Sequence, residues 1–127
     1  AFFHDEILRR RFLRILSFLD LEEGNIINFA SAYNITFHKI VPPKFVDVVM
    51  AAPRMIGDGV RELYVRGEGS PAFVGAQDAS GMALEYGKAL CKAIGATKKG
   101  AIEVKFDDET CLDLMTEQGI CQSSTMY

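Results

Sequence analysis

The 127 residues suffice for one domain with a real core, and no more. Nearly half of them are apolar and a quarter charged, the composition of an ordinary soluble globular protein. A net charge of −3 gives no electrostatic reason to expect nucleic acid, and no apolar run reaches the about 18 residues of a membrane helix.

The chain opens on Ala1 rather than methionine, so it is expected to be processed there or to begin partway through a longer protein. Residues 5–20 place Leu8, Phe12, Ile15, Leu16 and Leu19 at helical spacing, with arginines largely on the other side. That pattern predicts an amphipathic helix, with Gly24 as its stop. Arg9, Arg10, Arg11 and Arg14 interrupt the apolar positions and exclude a signal peptide. The run 25–30 (NIINFA) reads as a buried strand. A stronger one follows at 46–52 (VDVVMAA), bounded by Pro42-Pro43 and Pro53. A short helix is expected over 57–66 and a third strand over 70–77, after which Ser80 can cap the next helix. That helix repeats Ala83, Gly87, Leu90 and Ile94, and Gly95 ends it. A fourth strand over 100–106 leads into a last helix. Strands alternating with helices predict an α/β, mainly parallel sheet with helices on both faces.

Open parallel sheets bind ligands beyond the carboxyl ends of their strands. Those positions hold Ser31 after the first strand, Arg54 after the second, and Gln77 and Asp78 after the third. The fourth strand leads to the acids, so four polar loops are expected to converge on one edge. The G-x-G in 56–62 (IGDGVRE) fails as a dinucleotide fingerprint, because Glu62 holds the third glycine position and Asp58 would repel a pyrophosphate. No residue of this chain is therefore assigned to a dinucleotide. His4 and His38 read as surface residues. Cys91, Cys111 and Cys121 are an odd count without a C-x-x-C pair, which fits a reduced, cytoplasmic protein whose cysteines are core or boundary residues, packing as small hydrophobes.

The last helix carries Glu109, Asp113 and Glu117 four residues apart, on one stripe. Acids in a first helical turn complement the macrodipole, which accounts for Asp107, Asp108 and Glu109. Asp113 and Glu117 lie beyond that turn. Carboxylates one turn apart can jointly ligate a hard cation such as Mg²⁺. On the residues alone a solvated acidic face and a cation site both stand.

From about residue 20 the chain resembles ketol-acid reductoisomerase, also called acetohydroxy acid isomeroreductase. The landmarks are LEEGNIINFASAYNITFHKIVPP (21–43), VDVVMAAPR (46–54), YVRGEGSPAFVGAQDASGMAL (64–84) and KAIGATKKGAIEVKFDDETCLDLMTEQG (92–119). The resemblance implies that residues 1–106 are the second half of an NADPH-binding Rossmann domain and 107–127 the start of a helical domain. Other parts of the site would then lie before and after this chain. It implies alkyl migration in an acetohydroxy acid followed by NADPH reduction, with Mg²⁺, in branched-chain amino acid synthesis. The setting would be the cytoplasm, or an organelle stroma in a plant. It also implies association into a homo-oligomer through the helical domain; as unburied apolar surface, Leu112, Leu114, Met115 and Ile120 are expected either to pack on a partner chain or to be poorly ordered. Asp113 and Glu117 match the family's metal ligands and Glu109 its nearby helix acid. Ser31 and Arg54 instead replace a catalytic histidine and a lysine. Serine cannot act as a base near neutral pH, and arginine does not readily give up a proton. Two functions are therefore expected as alternatives: a divergent reductoisomerase, or a fragment of one acting with further segments, and a family-derived domain that no longer catalyses the reaction and serves in binding or assembly.

Overall fold

A computed structural model describes residues 21–121, of which the side chains of the last two are not described. The helix expected over 5–20, with His4, lies outside these residues. Four strands form one sheet in the order β1 (Ile26–Phe29), β2 (Asp47–Pro53), β3 (Ala72–Gln77), β4 (Ala101–Glu103). β2 is buried along six consecutive residues, Asp47 to Ala52, as befits a central strand covered on both faces. Alternation divides it. Val48, Met50 and Ala52 join Phe29, Ile35, Ile40 and Phe106 in one core, whereas Ala51 joins Val74, Cys91 and Ala96 in the other.

The helices are α1 (Tyr33–Thr36, a single turn), α2 (Gly57–Val65), α3 (Ala83–Ala93) and α4 (Phe106–Leu114). α1 and α4 cover the first face through Ile35 and Phe106, and α3 covers the second through Ala83, Gly87 and Cys91. Gly87 permits a close approach: a Cβ there would lie 2.8 Å from Val74 Cγ2 and 3.0 Å from Val49 Cγ1. Gly95 follows α3 with φ of 80°, the left-handed stop expected of it. IGDGVRE is a turn and helix start, with α2 beginning at Gly57.

Two of the three strand pairings are parallel, and β2 with β3 is antiparallel. The reason lies in α2, which buries none of its residues. A crossover to a parallel neighbour must carry the chain back along the sheet. Here the connection stays at one edge, and β3 starts beside the end of β2, with Ala72 opposite Pro53. This overturns the convergence of four polar loops. Gln77 sits opposite Val48 at the start of β2, so Gln77 and Asp78 lie at the far edge from Arg54.

That far edge is organised by Asp47, whose role the sequence reading did not foresee. Its buried carboxylate accepts hydrogen bonds from Ala79 N (2.7 Å), Ser80 N (2.9 Å) and the Ser80 hydroxyl (2.6 Å). The Ser80 hydroxyl in turn accepts from the N–H of Met82 at 3.1 Å, just before α3, and the N–H of Ala83, the first residue of α3, is taken by Asp78 at 3.1 Å. The Ser80 hydroxyl, followed by the Ala79 N–H, holds the Asp47 carboxyl below its ordinary value of 3.8, against the opposing effect of burial. A depressed carboxylate stabilises the fold above its unfolded pKa, and that stabilisation is lost as pH falls through the folded value. Asp47→Asn should therefore lower the melting temperature at pH 7, with the difference from the parent narrowing in melts below about pH 4.

Candidate functional site

The edge formed by the ends of β1 and β2 is completed by α4, which runs back across the sheet from the end of β4. Its N-terminus is fixed by Phe106, buried among Met50 and the first core, and by Val104 N, which donates to Val74 O at 2.9 Å. The strand expected over 100–106 is therefore shorter, at Ala101–Glu103, because the backbone turns into the helix at Phe106. Beyond Leu114 the helix widens into a π-helical segment, Met115–Cys121, which carries Glu117. Single π turns often occur at functional positions.

α4 brings Ser31, Arg54 and the acid ladder together. Glu109 is fully buried, and its Oε2 accepts a 2.9 Å hydrogen bond from the N–H of Ala32, which adjoins Ser31. A second bond, 3.0 Å from Thr110 Oγ1 to Thr36 Oγ1, fastens the same helix to α1. Arg54 leaves β2 with its backbone N–H on Pro71 O at 2.8 Å. Its guanidinium bonds Asp113 Oδ1 through Nη1, lies 3.7 Å from Glu109 Oε1, and reaches Thr116 Oγ1 at 3.5 Å through Nη2. The ring of Phe73 backs it at 4.9 Å. Ser31 Oγ accepts a bond from Tyr33 N at 3.4 Å, and Glu117 is exposed.

Electrostatics set Glu109 apart. Burial pushes its carboxyl above the ordinary range; the Ala32 N–H opposes this, the neighbouring Asp113 and Glu117 add to it, and Arg54 opposes it. Glu109 Oε1 has no hydrogen-bond partner, an unmet acceptor in a dry position facing the guanidinium. Hard oxygen donors with one oxygen unmet suit a small divalent cation. Among the described residues, however, no group of three or more histidine, cysteine or acidic side chains is arranged to hold a metal.

The sequence reading missed Phe73 and Thr116. Phe73 lies within a strand whose alternation says only that it packs, and Thr116 carries no signal beyond lying three residues after Asp113. His38 is exposed, as expected. Cys91 is a core residue, but Cys111 is exposed and is not the small packed hydrophobe anticipated. Leu112 and Met115 are also exposed on the described residues.

Residues 10–100 match the family model described as acetohydroxy acid isomeroreductase, NADPH-binding domain. The chain belongs to this family. It is 50% identical over 100 residues to the ketol-acid reductoisomerase (NADP(+)) of Pyrobaculum aerophilum, covering 78% of this chain and 30% of that protein. Against the enzyme of the same name from Pyrococcus abyssi the identity is 48% over 99 residues, 77% of this chain and 30% of the relative. An NADH-preferring ketol-acid reductoisomerase from an uncultured archaeon superposes with a TM-score of 0.77 at 40% identity, over 79% of this chain and 30% of that one. The Rossmann-like fold of the acetohydroxy acid isomeroreductase family is thus that of the present chain. A semialdehyde dehydrogenase NAD-binding protein from Cupriavidus necator, 17% identical with a TM-score of 0.67, shares the fold alone. The chain spans about a third of the length of the curated relatives it matches. Among the described residues no helix is long and apolar enough to cross a membrane.

Proposed function

We propose that this chain forms one wall of the active site of a ketol-acid reductoisomerase, acting on an acetohydroxy acid with NADPH and Mg²⁺. The observation that carries this reading is the junction of Arg54 with Asp113 and Glu109, which joins the end of β2 to the acid stripe of α4. Asp113 and Glu117 would hold Mg²⁺, with further oxygen donors from outside this chain, and the ion would polarise substrate oxygens. Glu109 positions the site: one oxygen holds the loop of Ser31 through the Ala32 N–H while the other faces the guanidinium. Arg54 offers a planar pair of donors to anionic substrate oxygens, a task suited to a guanidinium. It supplies charge and orientation, not a proton.

A second reading is favoured by Ser31 and Arg54 themselves. Ser31 Oγ lies against a backbone N–H, and Arg54 is held by carboxylates, so neither supplies the missing proton carrier. The chain would then be a family-derived domain serving in binding or assembly. Turnover of 2-acetolactate by the whole protein with NADPH and Mg²⁺ separates the two. The enzyme reading expects measurable NADPH oxidation that Asp113→Asn reduces by roughly 100-fold or more. No turnover above background, even after Ser31→His with Arg54→Lys, would sink it.

A further inference from the structure

The Arg54 guanidinium is fixed from four sides. Asp113 Oδ1 accepts from Nη1, Glu109 Oε1 lies 3.7 Å away, Thr116 Oγ1 is 3.5 Å from Nη2, and the Phe73 ring stacks at 4.9 Å. Thr116 is itself oriented, because its hydroxyl is bonded to the carbonyls of Leu112 (2.8 Å) and Asp113 (3.1 Å). Asp113 Oδ1 is thus already occupied by a positive group. Mg²⁺ binds oxygen at about 2.1 Å, so an ion on that same oxygen would sit beside the guanidinium. Like charges so close in a partly buried place repel strongly. The unmet Glu109 Oε1 faces this same guanidinium, so the carboxylates on both sides of Arg54 are committed to one cation at a time.

We propose that Arg54 is a built-in counter-cation: it occupies Asp113 when no metal is bound and must leave before Asp113 can ligate one. The inference rests on Asp113 as a metal ligand, the reading given under Proposed function. It has a consequence for substrate. A departing guanidinium frees the donors it had spent on Asp113 and Thr116, making them available to an anionic oxygen only once metal has arrived. Metal and acidic substrate would then bind in a favoured order.

Binding of Mn²⁺ alone to the full-length protein, followed by electron paramagnetic resonance, tests this without turnover. Arg54→Gln should tighten Mn²⁺ binding by roughly tenfold or more, a typical coupling between competing sites. Arg54→Lys keeps a charge but loses the planar fork, and should fall between the two; it also serves if the glutamine variant fails to fold. Asp113→Asn should abolish the gain in either background. A folded Arg54→Gln protein that binds Mn²⁺ no more tightly than the parent overturns the competition, even if Asp113→Asn still weakens binding. Binding that ignores Asp113→Asn in both backgrounds overturns the metal assignment, and the competition with it.

Discussion

Glu109→Ala should destabilise the protein by about 1–3 kcal/mol, the cost of leaving a buried polar group unpaired. The group in question is the N–H of Ala32, which loses its buried 2.9 Å acceptor. Glu109→Gln keeps an acceptor oxygen at that place and gives up the charge. Because burial already disfavours the charged carboxyl, the glutamine variant should melt within about 1 kcal/mol of the parent. The two variants separate anchoring from charge. Both should loosen Arg54, since each removes the carboxylate 3.7 Å from Nη1. Only alanine should also lower the urea midpoint. If alanine and glutamine melt alike, Glu109 does not hold the Ser31 loop in the way its hydrogen bond implies.

β2 was legible in the sequence because its apolar run is flanked by prolines and has a single solution, a strand buried on both faces. Asp47, at the head of that same run, was not. Two of its three donors are backbone N–H groups more than thirty residues away, which leave no trace in a sequence, and the third, the Ser80 hydroxyl, is equally distant along the chain. α2 was predicted at the right place, yet the direction of the next strand was missed. Whether a helix crosses the sheet depends on whether its apolar side finds a face to cover, and α2 finds none. That one packing fact moved Gln77 and Asp78 to the far edge.

The acid ladder was legible in a different sense. Spacing placed Glu109, Asp113 and Glu117 on one stripe without distinguishing a solvated face from a site. The structure grades them from buried Glu109 through half-buried Asp113 to exposed Glu117. A solvated face would expose all three. The pairing of Arg54 with two of them could not be read from sequence either, because it depends on α4 crossing back from β4 to the end of β2.

What holds α4 on that path is a glycine, and Gly75→Ala should be the most informative substitution away from the charges. A Cβ at Gly75 would lie 2.7 Å from the carbonyl oxygen of Val104, 3.2 Å from Met50 Cε and 3.7 Å from Phe106 Cε1. Methionine can yield by rotating its flexible end. The Val104 carbonyl is backbone, so the chain that leads into α4 must shift. Overpacking of this kind typically costs about 1–3 kcal/mol. The shift would propagate to the site, because Val104 and Phe106 set the start of the helix that carries Glu109 and Asp113. Gly75→Ala should therefore lower the melting temperature and, on the function proposed above, cost the whole protein turnover even where it is fully folded. Gly87→Ala is the matched control. Its Cβ would also crowd neighbours, at 2.8 Å from Val74 Cγ2, but on the face covered by α3. It should destabilise while leaving the kcat of the folded enzyme near that of the parent. Equal loss of activity in both, measured at a temperature where both are folded, would show that the glycine under α4 has no special hold on the site.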